Sequence, residues 1–230
     1  MKKTIAILVF LKVVCSTVFG QDFSISVGAG GIFNAALGGG INGESTNMGI
    51  KQTYSVFDEQ IAGGGFIFFD ATYAEINVSY ILGSATSKVT SEASGIGVTI
   101  EDKGTFSSIN FGLLGKYPFE ISDSFYLFPL LGIEYQLFLS RKNKDEKEYK
   151  NLDDEESPKD FSALWFKLGI GADINITDQL YIRPEILYGI RLKNKYEDDG
   201  KEYLSSRYPN TEIGLGHGPT VKIGIGYRFM

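Results

Sequence analysis

His217 is the chain's one histidine, set in GLGHGPT, and it is the first place to look for chemistry. It could act as a general base on a nucleophilic Ser205 or Ser206 upstream. A hydrolytic site needs the nucleophile and base held within hydrogen-bond reach, and the base oriented by a third group. The surrounding run is glycine-rich, and no serine stands at matched spacing on an adjacent strand. The expectation is a histidine in a loop and a protein that is not an enzyme. Asp153, Asp154, Glu155 and Glu156 form an acidic run, but they lack the spacing of a calcium loop and read as part of a solvated stretch. GAGG (28–31) and the GGG runs at 38–40 and 63–65 precede no Lys-Ser/Thr pair and open no helix, so they are not phosphate loops. They read instead as places where strands bend or pack closely. One cysteine, Cys15, and one histidine make no metal set. No cofactor and no metal is expected.

Cys15 belongs to the leader. MKKTIAILVFLKVVCSTVFG has two lysines, then an apolar run, then small or modest residues before Gln21, the pattern of a secretory signal covering residues 1–20. Lys12 and Val14 do not fit a lipidation signal around that cysteine. Removing the leader's three lysines leaves 19 cationic and 28 anionic side chains on residues 21–230, a formal net charge of −9 and no cysteine. A nucleic-acid partner is disfavoured by that charge, and disulfides cannot hold the mature fold.

The other charged residues fall into a pattern. Eight segments alternate with period two: approximately 23–33, 61–69, 73–85, 105–117, 125–139, 161–174, 180–193 and 218–229. Their joins alternate strictly between long (34–60, 86–104, 140–160, 194–217) and short (70–72, 118–124, 175–179). Segments near or above 9–11 residues suit tilted strands crossing a bilayer, and short turns at one end against long loops at the other suit a closed barrel of even strand number. One face of these strands is mostly Ile, Leu, Val, Phe and Tyr, although glycines blur the first two segments. The other collects Glu75, Lys116, Glu134, Lys167, Asp173, Arg183, Glu185, Arg191, Lys222 and Arg228, a nearly balanced set that must pair if buried. The expected fold is all-β: an eight-stranded antiparallel up-and-down transmembrane barrel, apolar outside, its narrow lumen filled by a salt-bridged network. Phe66, Phe68, Tyr73, Tyr117, Phe119, Phe125, Tyr126, Tyr227 and Phe229 are expected to form a girdle beside the short turns. Pro129 and Pro184 are expected to introduce mild strain or a bulge.

With this pattern, and with the final GPTVKIGIGYRF ending on an aromatic before Met230, residues 21–230 resemble small bacterial outer-membrane β-barrels of the OmpX, OmpA-barrel and OmpW-like kind. The resemblance implies a cell outer-membrane location among lipopolysaccharide-like lipids. It also implies insertion by the barrel-assembly machinery, which would read Ile225, Tyr227 and Phe229. It implies a structural or surface-interaction role through loops that meet extracellular or host ligands, with a narrow pore for small or hydrophobic solutes, or a lipid-modifying enzyme, as alternatives.

Overall fold

In the computed structural model, described for residues 24–47, 50–143, 161–192, 201–206 and 208–229, nearly all of the described residues are in strands. The strands are β1 (Ile25–Asn47), β2 (Ile50–Asp70), β3 (Ala74–Ala93), β4 (Ile96–Lys116), β5 (Phe119–Ser122), β6 (Phe125–Asn143), β7 (Ala163–Asn175), β8 (Leu180–Arg191) and β9 (Asn210–Phe229). Every neighbouring pair is antiparallel. Two ladders close the ring: β1 with β9, from Ile25↔Phe229 upward, and β4 with β6, from Lys116↔Leu130 upward. Eight strands therefore form the barrel. The four-residue β5 lies in the 118–124 join, expected to be an irregular turn, and pairs with the foot of β6 through Phe119↔Leu127. The leader and the acidic run at 153–156 lie outside the described residues.

The barrel is inside out. Ile67, Ile76, Leu113, Leu131, Leu168, Ile186 and Ile223 point outward and are each more than half exposed, whereas Glu75, Lys167, Arg183, Glu185 and Lys222 point inward and are at most 1% exposed. Water would drive so large an apolar belt to aggregate. Lipid removes that cost, so the chain is a transmembrane β-barrel. No helix among the described residues is long and apolar enough to span a membrane.

Two of the expected long joins are not loops. β1 and β2 pair as far as Asn47↔Ile50, and β3 and β4 as far as Ala93↔Ile96. The second hairpin closes on Ser94 and Gly95, both with positive φ, the two-residue geometry that matches strand twist. Strands of 20–23 residues are about twice what a bilayer needs. The excess forms a sheet projecting beyond the barrel's rim, and its polarity is reversed. Below the rim the apolar residues of β3 are even-numbered and outward (Ile76, Val78, Tyr80, Leu82). Above it they are odd-numbered and inward (Val89, Ala93), with no change of register against β2 or β4. β4 switches likewise, from Leu113, Phe111 and Ile109 to Ile100, Val98 and Ile96. The outer face of the extension carries ion pairs instead: Lys88–Glu59 at 3.6 Å, Lys51–Glu44 at 2.9 Å and Lys103–Glu101 at 3.1 Å. On its inner face Tyr54 stacks on Tyr208 at 5.9 Å, and burial, then the neighbouring Tyr208, push the Tyr54 phenol above its ordinary pKa.

The prolines do not bulge the sheet. The β7–β8 ladder skips Arg183 and Pro184 and resumes in the same register at Ile182, and β6 leaves its neighbour between Leu130 and Leu127, around Pro129. A residue without an N–H omits a rung, and the chain needs no extra residue to do so. The shifts that do occur lie at Leu37/Asn42 of β1 against β2, at Ser107/Ser108 of β4 against β6, and at Glu120/Ser122 in β5. Three girdle expectations also fail. Phe66 and Phe68 share the inward phase of Asp70 and are 3% exposed, and Tyr126 shares the inward phase of Phe128 and stands opposite Asp173, whereas Tyr117, Phe119, Tyr227 and Phe229 do point outward.

The switch of polarity yields a paired expectation. Leu168 and Ile100 are similarly exposed aliphatics, on the belt and on the extension. Leu168→Arg should lower stability in lipid vesicles by about 2–4 kcal/mol, and Ile100→Arg by no more than about 0.5 kcal/mol, read from urea titrations of the folded fraction. Equal losses would show that both positions meet the same solvent.

Candidate functional site

The lumen is built by alternation: every second residue of eight strands points into a space just wide enough for side chains. Glycines make the room that the large ones need. A Cβ on Gly28 would lie 2.3 Å from the Phe68 ring, and one on Gly226 would lie 2.2 Å from Tyr181.

At the base, the end with the short turns, Arg183 gathers three carboxylates. Its Nε donates to Asp173 Oδ1 at 2.6 Å, one terminal nitrogen to Asp173 Oδ2 at 2.8 Å, and the other to Glu75 Oε2 at 3.0 Å. The guanidinium also pairs with Asp70, which in turn receives Lys116. Phe68, Tyr181 and Phe128 place their rings 4.8, 5.0 and 5.2 Å from it. Asn77 donates to Glu75 at 3.0 Å, and Tyr181 shares a 2.7 Å hydrogen bond with Ser26. Arg228 stands at the edge, 22% exposed, 3.8 Å from Asp173 and beside Tyr126 and Tyr181. A cavity of about 330 Å³ enters from the base and ends at Asp70 and Asp173, the carboxylates that hold Arg183.

Higher in the lumen Lys167 lies 3.3 Å from Glu134 and donates to Thr220 at 2.9 Å, while Lys222 faces its cross-strand partner Glu185 at 3.7 Å. Trp165 donates to Gln136 at 3.0 Å, and Gln136 to Ser108 at 3.3 Å. Above them an aromatic layer fills the space, Phe106 against Phe138 at 5.2 Å and Phe138 against Phe161 at 6.5 Å, with Phe66 and Ile81 in the same cluster. Arg191 is buried at this end, against Gly216.

All ten charged residues singled out from the sequence thus line the lumen, nine of them buried and Arg228 at its base. Asp70, Tyr181, Phe68 and Phe128 complete the Arg183 cluster and were not among them. In the sequence Asp70 reads as the first residue of the short 70–72 turn. Its phase with Phe66 and Phe68 on β2 was the available signal. Ile225, Tyr227 and Phe229 lie outward on β9, exposed by 57%, 42% and 49%.

His217 is not in a loop. It stands within β9, opposite Leu37 and Ile190, on the outward face. Its Nδ1 shares a 2.6 Å hydrogen bond with the Tyr188 hydroxyl, and the two rings stack. Ser205 and Ser206 turn back into the single helical turn at 201–205, donating to the carbonyls of Glu202 and Tyr203. No group of three or more potential metal ligands occurs among the described residues.

Replacing Arg183 with Met should strand three buried carboxylates and cost about 3–5 kcal/mol. Arg228→Gln, at the wet edge, should cost less than about 1 kcal/mol. Urea unfolding in vesicles would separate them, and comparable losses would deny Arg183 its central place.

No family model matches the chain, and no curated protein does. Among solved structures it is similar to the outer membrane protein OprG from Pseudomonas aeruginosa, at 11% identity over 90% of this chain and 95% of that one, with a TM-score of 0.40. It is also similar to Ail, the attachment invasion locus protein of Yersinia pestis, solved with a heparin analogue (15% identity, 90% and 97% covered, TM-score 0.32). A third is the outer membrane protease OmpT from Escherichia coli (9% identity, 90% and 97% covered, TM-score 0.34).

Proposed function

We propose that this chain, a β-barrel of the outer-membrane type, is a membrane-anchored surface protein: the closed barrel is the anchor, and the projecting sheet is the part that meets the outside. The observation that carries the reading is the filled lumen. Arg183 and its three carboxylates block the base, and the Phe106–Phe138–Phe161 layer blocks the rim. Moving a solute through would require separating a buried ion cluster and displacing packed rings, each costing several kcal/mol.

We read the barrel as non-enzymatic, and the geometry argues against a Ser–His pair built on His217. The one histidine faces lipid with a tyrosine as its partner, and the serines nearest in sequence are engaged in their own helical turn. The outward row Ile225, Tyr227 and Phe229 on the closing strand is the surface an assembly factor would grasp before β9 meets β1. Extracellular ligands would meet the aliphatic inner face and the charged outer face of the projecting sheet.

Refolded protein in a planar bilayer should give no stable single-channel steps above the lipid baseline. Steady unitary conductance would overturn the closed-anchor reading in favour of a narrow pore.

A further inference from the structure

Along the outward surface, the last aliphatic residues before the rim are Leu82 on β3, Ile109 on β4 and Leu139 on β6. Above them the outward residues turn polar, so this line marks where hydrocarbon gives way to headgroups. A cavity of about 360 Å³ opens on the line, between β3, β4 and β6.

Its cause is the irregularity between β4 and β6. Ser108 pairs with Phe138, but Ser107 pairs with Ser140, so Leu139 is the extra residue. The shift sets the two serine hydroxyls 2.7 Å apart on the lipid side, with Ser107 only 8% exposed. One hydroxyl donates to the other, and the acceptor keeps its own hydrogen to offer outward. Thr105 and Lys142 form the next cross-strand pair, and Tyr80 lies one outward position below Leu82. These side chains supply hydroxyl, phenol and ammonium donors around one hollow. The described residues of the lining include no carboxylate, although the chain as a whole has a formal net charge of −6. A donor-rich hollow of this kind suits an anion. Leu82, Ile109 and Leu139 directly below suit an acyl chain.

We propose that this hollow binds the phosphate of an outer-leaflet lipid headgroup, with Lys142 supplying the charge, Ser107, Ser140 and Thr105 the hydrogen bonds, and the aliphatic line beneath receiving the chains. The site rests on the belt facing lipid. It does not rest on the closed lumen, so a conductance result leaves it standing.

The test is native mass spectrometry of the purified full barrel titrated with three probes: bis-phosphorylated lipid A, the same acylated diglucosamine without phosphates, and inorganic phosphate. The phosphorylated lipid should bind the unmodified protein, with affinity reduced about tenfold in Lys142→Gln and in the Ser107→Ala/Ser140→Ala double variant, and unchanged in the remote Lys51→Gln. Heat-modifiable gel migration checks that each variant is folded. Should the double variant fail to fold, Lys142→Gln, at an exposed position, decides alone. Three results overturn the proposal: equal binding of the unphosphorylated lipid, which means chains alone dock there; equal binding of inorganic phosphate, which means a free-anion site; or undiminished affinity in Lys142→Gln.

Discussion

In hydrocarbon no water is available for a stray N–H or C=O, so each rung of backbone must find its partner within the chain. Closure of the sheet satisfies this demand. The β1–β9 and β4–β6 ladders are therefore the contacts without which none of the other strands could remain in lipid. Once the ring is shut, alternation does the rest. A strand in a small barrel presents half its residues to a narrow interior and half to the acyl chains, and the two sets are selected by opposite rules. Prolines fit as long as the omitted rung lies on one side only, and the β7–β8 ladder shows how little this disturbs the register.

The interior illustrates why charge can survive there. Arg183 does not sit in an oily core. It sits among carboxylates that also take Lys116 and Asn77, and against rings that present their negative faces to it. These neighbours offset its desolvation, while Asp70 Oδ1 is left buried without a hydrogen-bond partner. The same residues that hold the ion fill the lumen, so the stability of the barrel and the filling of its interior have a common origin.

The sequence made the barrel legible because its alternation is strong: Leu180 to Leu192 on one side and Arg183, Glu185 and Arg191 on the other can hardly be read another way. It hid the projecting sheet for a physical reason. Where the strands leave the membrane the apolar phase changes from even to odd on β3 and from odd to even on β4, and a search for one unbroken alternation ends at that change. The legible alternation accordingly ends near 61, 85 and 105, and the residues beyond resemble polar loop. The lumen cluster was legible residue by residue except for Asp70, since an aspartate beside Ala71 and Thr72 resembles a turn former. Phe66 and Phe68 stand close to a turn, which suggests a girdle, but their phase on β2 sets them inward. Glycines on both sides of His217 suggest a loop, whereas in a barrel wall glycine also marks close packing of strands.

The rim is uneven. β1 to β4 climb some twelve residues past their last belt aliphatics, whereas β7 and β8 end at Ala163 and Arg191. At about 3.3 Å per residue and a tilt near 40°, Ser94 and Gly95 stand about 30 Å above the bilayer. Anything approaching the cell, whether an antibody, a protease or another surface, reaches that hairpin while still clear of the headgroups. A cut there would leave both halves of the hairpin stitched into the wall below, so the mast can be nicked at its tip without unseating the barrel.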